Sequence, residues 1–449
     1  MAPLSEHPSV KRFREKAGSA PIQTTPATLD AGWLRQLCLD AGADDVGFVE
    51  IERPELGDER TEIMRFFPRT KTLISLVLRM NREPVRSPAR SVANVEFHHT
   101  GEHVNEIAHR IVMSLGDRGI RATNPAMGFP MEMDRVGTGR LWVVSHKLIA
   151  VAAGLGQMGI HRNVIHPRFG NFILLGTVLM DAEVTEHQRP VDYNPCVECK
   201  LCVAACPVGA IGSDGAFNFT ACFTHNYREF YGGFANWVEQ IVESRNLLDY
   251  RSRVSSPESA SIWQSLSYGA NYKSAYCMAV CPAGDDVIAP FLTDRTEYLK
   301  DVVRPLQEKE ETVYVVAASD AEAYVARRFP NKHTKRVGNG LNRLRSISAF
   351  LFGLRVTFQR EQSKALDATY HFTFTGAEQR EATVIIRNES LDVKQGHVGA
   401  ADLQVTADTR TWLGFLAHER SLIWALVSRR IKLRGSPRLL QAFSKCFPS

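Results

Sequence analysis

The sequence predicts a multidomain chain that joins an α/β unit, a cysteine-rich unit and an α+β unit. Three observations predict it. Across residues 29–185, apolar runs of strand length alternate with runs of helical periodicity. Seven of the nine cysteines fall between Cys196 and Cys281. From Ala368 the apolar period switches to two, with turn residues between the runs. A length of 449 residues agrees with about three domains at ~150 residues each.

The elements follow in order. Residues 1–28 are polar and rich in Pro, Ser and Lys, and predict a flexible arm. In residues 31–41, Leu34, Leu37 and Cys38 share one helical face, and Gly42 stands where a C-terminal glycine belongs. Residues 45–49 and 71–78 read as strands, the second fully buried. Val104, Ile107, Ile111 and Leu115 predict a helix over 102–117. An apolar helix from His146 runs into a glycine-rich turn, and 171–180 is another buried strand. These elements make a domain of residues 29–185. Residues 186–305 form a cysteine domain, with a helical, aromatic-rich stretch over 217–269. In a third domain, 340–449, period-two runs at 370–374, 382–386, 390–393 and 401–406 predict an antiparallel sheet. Asp408 is an N-cap for a helix carrying Trp412, Phe415 and Leu416, and 421–427, 431–435 and 437–447 complete the unit.

Composition excludes several classes. Apolar content is 44% and charged content 23%, ordinary for a globular chain. The net charge of +5 is diffuse, with no run of five Lys/Arg, so nucleic acid is not expected as a partner. No stretch reaches the ~18 apolar residues of a membrane span. Lys11-Arg12-Phe13-Arg14 is not followed by an apolar run, so no export signal is expected. Clustered thiols fit a reducing compartment, and the expected location is cytoplasmic.

The cysteine spacing carries the chemistry. Cys196-x2-Cys199-x2-Cys202-x3-Cys206-Pro207 is the bacterial ferredoxin run, followed by Cys222 and by Cys277-x3-Cys281-Pro282. A zinc ribbon seldom needs this spacing. By the ferredoxin rule, Cys196, Cys199, Cys202 and Cys281 hold one 4Fe-4S cluster, while Cys206 crosses to a second with Cys222 and Cys277. Ser274 stands where that second cluster's fourth thiolate would be. The choices there are a serine alkoxide, a three-iron cluster, His225 or an open iron site.

Gly154, Gly156 and Gly159 fit Gly-x-Gly-x-x-Gly and are the candidate cofactor-binding glycines. The run before them is helical, which excludes a dinucleotide fold, because that fingerprint follows a strand. A helix-end turn is the plain alternative.

Residues 146–159, 167–176 and the split cysteines together resemble the corrinoid iron–sulfur reductases, the reductive dehalogenases and epoxyqueuosine reductases, over roughly residues 30–300. The resemblance implies a nitroreductase-like α/β domain that binds cobalamin, and a ferredoxin-like domain whose two clusters feed it electrons. It also departs from the pattern. Besides Ser274, the acid thirteen residues before Ala-Gly-Leu-Gly is replaced by Arg140, and Ile160 stands where a basic residue is usual. These departures argue against a tRNA base as substrate. Arg140, as an anion-holding group, and His161, as a proton donor, are the candidate catalytic residues, with His98 and His99 behind them. Residues 340–449 resemble the sterol carrier protein 2 family, which implies an apolar tunnel or a ligand-free accessory domain.

The expected function is a corrinoid-dependent iron–sulfur reductase acting on a hydrophobic small molecule and fed by an external donor such as ferredoxin or flavodoxin. The alternative is an iron–sulfur electron-transfer protein serving a partner enzyme. Queuosine chemistry with an altered acid ranks third.

Overall fold

The structure, a computed structural model, describes residues 3–17, 28–133, 135, 141–338 and 344–448. In the N-terminal arm, Pro8–Ala17 is an exposed helix, and Thr28–Leu29 pairs in parallel with Glu183–Val184.

The first unit is a three-layer sandwich. Its helices and strands are α1 (Ala31–Ala41), β1 (Asp45–Glu50), β2 (Thr72–Arg79), α2 (Arg90–Gly116), β3 (Ala122–Thr123), α3 (His146–Ala152) and β4 (Ile173–Met180). The sheet order is β1-β2-β4-β3, and every pairing is antiparallel. Successive side chains on β2 alternate faces. Ile74, Leu76 and Leu78 pack with Leu34 of α1 and with Val104, Ile107 and Ile111 of α2. Leu73 and Val77 pack with Ile149 of α3 on the other face. Asp30 caps α1 by accepting from Trp33 N at 2.7 Å, and Gly42 closes it with φ +116°. Helix α2 begins twelve residues earlier than 102–117 predicted, because Asn94, Phe97 and Thr100 are buried and extend the inward face.

The second unit holds α4 (Leu201–Ala205), α5 (Phe219–His225), α6 (Gly232–Glu243), α7 (Ser256–Tyr268) and α8 (Tyr276–Ala279). Its core runs past the expected boundary at 305. Strand β5 (Thr312–Val315), helix α9 (Asp320–Arg328) and strand β6 (His333–Arg336) form a parallel pair with a crossing helix. Val313, Val315, Val325 and Phe329 join the core that surrounds Cys202 and Cys206. Phe97 and Phe172 of the first unit belong to that same core, so the first two units share one interior.

The third unit comprises α10 (Ile347–Thr357), β7 (Ala368–Thr375), β8 (Arg380–Arg387), β9 (Ser390–Gln395), β10 (Leu403–Asp408), α11 (Thr409–Leu416), α12 (Leu422–Val427), β11 (Ile431–Gly435) and α13 (Pro437–Lys445). The sheet order is β9-β8-β7-β10-β11. This corrects the purely antiparallel expectation. β10 does not turn back on β9 but crosses to the far side of β7 and pairs with it in parallel, Tyr370 opposite Leu403. Trp412 sits between Phe350, Phe372 and Phe374, with ring centroids 5.5–5.9 Å apart. These rings fill the space between α10, α11 and the sheet. Polar contacts fix this unit on the second, one of them from Glu361 N to Asp320 Oδ2 at 2.9 Å. Thr220 Oγ1 donates to Val356 O, Asp320 N donates to Gln359 Oε1 at 3.0 Å, and Arg360 pairs with Asp214 at 2.5 Å.

Candidate functional site

All nine cysteines are free thiols. Two lie away from the others. Cys38 is core packing in α1, its thiol pushed up to about 12 by burial, and Cys446 Sγ donates to Ala442 O in α13.

The other seven fall into two groups. The loop before α4 turns twice through the left-handed region, at Glu198 (φ 48°) and Lys200 (φ 60°). Each such residue costs about 1–3 kcal/mol and persists only where its surroundings hold it. Here the turns alternate with Cys196, Cys199 and Cys202 and curl the three thiols inward. Cys202 interacts electrostatically with Cys281, Cys199 and Cys196, and Cys281 with Cys199 and Cys196. The second group is Cys206, Cys222 and Cys277, drawn from the end of α4, from α5 and from α8. Cys277 also interacts with Cys202, so the groups adjoin.

Burial is the main influence on these thiols. It pushes Cys281 up to about 12 and Cys277 up to about 11, and it raises Cys202, Cys206 and Cys222. Left without cations, such groups stay protonated. Opposing this, backbone N–H groups aim at the sulfurs. Ala210 N donates to Cys206 Sγ at 3.3 Å, with Val208, Gly209 and Ile211 also favouring its thiolate. Buried sulfurs that gather N–H donors fit cluster ligation, in which the iron supplies the positive charge. Among the described residues, no three His, Cys, Asp or Glu side chains converge as single-ion ligands do. A cubane holds its thiolates at separate corners and asks for wider spacing than one zinc ion.

The two alternative protein ligands differ in their engagement. Ser274 Oγ donates to Asn226 Oδ1 at 3.2 Å, and that oxygen also accepts from the N–H of Ser274 and of Ala275. His225 accepts from Tyr314 N at 3.4 Å, and its charged neighbours are Glu311, Lys273, Lys332 and Lys309. Its Nε2 is buried without a partner, and burial pushes the ring down to about 4.

Lys147 of α3 stands beside the second group. Its Nζ donates to Arg162 O and to Asn163 Oδ1, both at 2.8 Å, and Asn163 Nδ2 lies 3.9 Å from Cys277 Sγ. By surface area Lys147 is exposed, yet burial among protein atoms lowers its pKa while the Cys277 and Cys222 thiolates raise it. Solvent reaches Lys147 from one side while protein atoms surround it on the others, which accounts for both facts.

His161 is buried near Lys147. Its Nδ1 accepts from Asn163 N at 3.1 Å, and its Nε2 lies 3.2 Å from Asn171 Nδ2. Burial and then the Lys147 charge push it down to about 4. It is therefore neutral at physiological pH and, with Nδ1 accepting, carries its proton on Nε2 toward the Asn171 amide, which removes the imidazolium proton-donor role expected of it. Asn171 keeps a buried polar atom with no protein partner. Arg140, the other expected catalytic residue, lies outside the described residues.

The glycines follow α3, as the exclusion of a dinucleotide fold required. A Cβ on Gly154 (φ +74°) would lie 2.4 Å from Arg189 O, and one on Gly156 would lie 2.3 Å from Ile165 O. Gly159 abuts Ile165 and His161. Close protein packing accounts for all three glycines.

Sequence reasoning missed an aromatic wall. Phe129 and Trp142 of the first unit meet Phe230 and Tyr231 beyond α5, and Tyr231 also packs on Phe223 at 4.8 Å. Tyr227 packs edge-on to Tyr272 at 5.4 Å, and its charged neighbours include Cys222 and Cys277. Burial holds its phenol well above the ordinary value, and so protonated. The available signal was the aromatic density of 217–269, but not which first-unit loop it would meet. His98 has another task, since its ring bonds Ala270 O at 2.8 Å, and His99 packs on His103.

Comparison with known proteins fits this geometry. The 4Fe-4S binding domain family matches residues 189–212, and the SCP-2 sterol transfer family matches 355–448. The epoxyqueuosine reductase of Lactococcus garvieae is 25% identical over 224 residues, covering 43% of this chain and 59% of the relative. That of Prochlorococcus marinus is 36% identical over 83 residues, covering 18% of this chain and 26% of the relative. Part of the chain is thus similar to these reductases, and its C-terminal region matches the SCP-2 sterol transfer family. The chain spans about three fifths of the Lactococcus relative's length.

Among solved structures, the epoxyqueuosine reductase of Streptococcus thermophilus aligns at a TM-score of 0.36 and 15% identity, covering 61% of this chain and 74% of that one. Sterol carrier protein 2 of Yarrowia lipolytica, in its apo form, aligns at 0.21 and 14%, covering 23% and 92%. An epoxyqueuosine reductase solved with an epoxyqueuosine-modified tRNA stem loop aligns at 0.32 and 17%, covering 43% and 56%.

These relatives correct one expectation. Nucleic acid was excluded on diffuse charge, yet the family's named substrate is a modified tRNA base, and that enzyme is seen with its stem loop. Diffuse charge does not exclude an RNA ligand when recognition rests on one base in a pocket. The expected hydrophobic small-molecule partner finds no support among them. Among the described residues, no helix is long and apolar enough to cross a membrane.

Proposed function

We propose that this chain is an iron–sulfur, corrinoid-dependent reductase. Cys196, Cys199, Cys202 and Cys281 hold one 4Fe-4S cluster, and Cys206, Cys222 and Cys277 hold the second, whose fourth iron site has no cysteine. The observation that carries the reading is the position of the second thiol group, next to Lys147 and to Tyr227 of the aromatic wall, with His161 and Asn171 behind Lys147. The orphaned polar atom of Asn171 fits a bound group there. A bound corrinoid supplies the low-potential reducing centre. The chain's own residues orient it and hold protons. Lys147 places its amino group near Cys277, and Tyr227 keeps a protonated phenol in the wall.

The test is an anaerobic preparation in which iron, sulfide, cobalt and flavin are counted together. Two clusters give about seven to eight irons per chain, and one cobalt after reconstitution with cobalamin supports the reductase. Iron and sulfide without corrinoid uptake would favour the second reading, an electron-transfer protein serving a partner. The engagement of Ser274 with Asn226 favours that reading, since it leaves the second cluster short of a ligand. Nucleic acid enters as the family's substrate class. Rescue of a strain that cannot make queuosine assigns the tRNA base to this chain. Failure with cluster-complete, cobalt-loaded protein removes that base and leaves the reductase.

A further inference from the structure

Helix α12 projects apolar side chains into solvent. Ile423 is 75% exposed, Val427 79% and Trp424 47%, while Ala425 is buried and anchors the helix. Ile423 and Val427 are four apart and so share one face. The surrounding charge is predominantly positive, with Asp408 beside Arg420 and Arg430 as its acidic neighbour. From Thr409 to the end the chain carries eight Lys/Arg and a single acid, Glu419. The guanidinium groups of Arg420 and Arg430 lie 5.6 and 5.5 Å from the Trp424 ring. Arg429 is exposed directly after the helix, and Lys432 and Arg434 are exposed two apart on the edge strand β11. Among the described residues, Arg429, Lys432 and Arg434 have no ion-pair partner.

We infer that this surface docks the protein on a bilayer rich in anionic lipid. Ile423, Trp424 and Val427 enter the acyl boundary, and the arginines and Lys432 meet the headgroups. The charge argues for this occupant over a second copy, because a two-fold contact would set the patch against itself, arginine facing arginine. The aliphatic tip argues for it over nucleic acid, since a phosphate backbone offers nothing to cover Ile423 and Val427. The chain then rests on the membrane through its third unit.

The test is flotation of the full-length protein with vesicles of phosphatidylcholine alone and of phosphatidylcholine mixed with phosphatidylglycerol. Binding is expected only to the anionic vesicles and should weaken with salt. Arg429→Gln with Arg430→Gln is expected to weaken partitioning about fivefold per charge. Ile423→Ser with Val427→Ser is expected to lower it at least as much, with cluster absorption and melting temperature unchanged. Equal binding to neutral vesicles, no binding, or an Ile423→Ser/Val427→Ser variant that floats like wild type each overturns the proposal. So does binding of bulk tRNA that the arginine variant loses and the serine variant keeps, or a dimer that the serine variant dissolves.

Discussion

The two thiol groups differ in how they are built. Three ligands of the first come from a single seven-residue loop, bent by Glu198 and Lys200, and Cys281 closes it. The second takes one thiol from each of three separate elements, with Lys147 from the first unit leaning in. A site written into one loop is close to a local property of the sequence. A site assembled from distant elements depends on the whole fold, and its character is set by whatever the fold brings along. Here the fold brings an amino group, a phenol and one thiol fewer.

Breaking the first group should have the largest effect. Cys202→Ser is expected to remove about four irons and to destabilise the shared core, since Cys202 packs between the first two units. Iron counts and thermal melting check it. Cys277→Ser should instead remove only the second cluster's signal and leave the first intact. If both clusters vanish together in Cys277→Ser, the division into two groups fails.

Tyr227→Phe sharpens the comparison next. The ring stays in the wall, but the proton is gone. Turnover by the loaded protein is expected to drop about 10²-fold, the usual contribution of a positioned acid, with both cluster spectra unchanged. An unaltered rate would reduce Tyr227 to a packing role.

Lys147→Met probes the second group alone. Losing a positive charge near Cys277 should lower that cluster's potential by on the order of 60 mV, equivalent to ~1.4 kcal/mol for one electron. The first cluster should not move, and Lys147→Arg should restore much of the shift. A redox titration followed by electron paramagnetic resonance separates the two signals.

The smallest effect lies away from both groups. Asp408 caps α11 by accepting from Thr411 N at 2.9 Å and from Thr411 Oγ1 at 2.7 Å. Asp408→Ala is expected to cost about 1 kcal/mol, read as a lower melting temperature with cluster content unchanged. Hydrogen bonding from Thr411 holds this carboxyl below its ordinary value. Its contribution is therefore full above the ordinary carboxylate range and is lost as pH falls through the lowered value.

What could be read in the sequence follows the same division. Helix α1 with its Asp30 and Gly42 caps, β2 and the period-two strands of the third unit rest on local rules, and the structure has them in place. Cys196, Cys199 and Cys202 likewise announce themselves by spacing. The parallel pairing of β7 with β10 was not legible, because alternation gives a strand its faces but not its neighbour. His161 was misjudged because its exposure and partners come from tertiary packing, which alone decides whether an imidazole can hold a second proton. The glycine turn suggested a ligand cradle, yet the carbonyls of Arg189 and Ile165, both downstream in the chain, fill the space. The aromatic wall has no spacing rule, since half of it comes from Phe129 and Trp142.

The loop 167–170 binds the first unit to the segment that follows Cys281. Asp285 N and Asp286 N donate to Pro167 O and Arg168 O, both at 2.9 Å. A Cβ on Gly170 (φ +66°) would lie 2.0 Å from Ala283 O, and one on Gly284 would lie 2.3 Å from Gly170 N. The two backbones are in contact with no side chain between them. Cys281, the fourth ligand proposed for the first cluster, is therefore tied to the sandwich domain as well as to its own. Placement of Cys281 and packing of the sandwich are thus coupled through one backbone-to-backbone contact, so a change on either side is felt on the other.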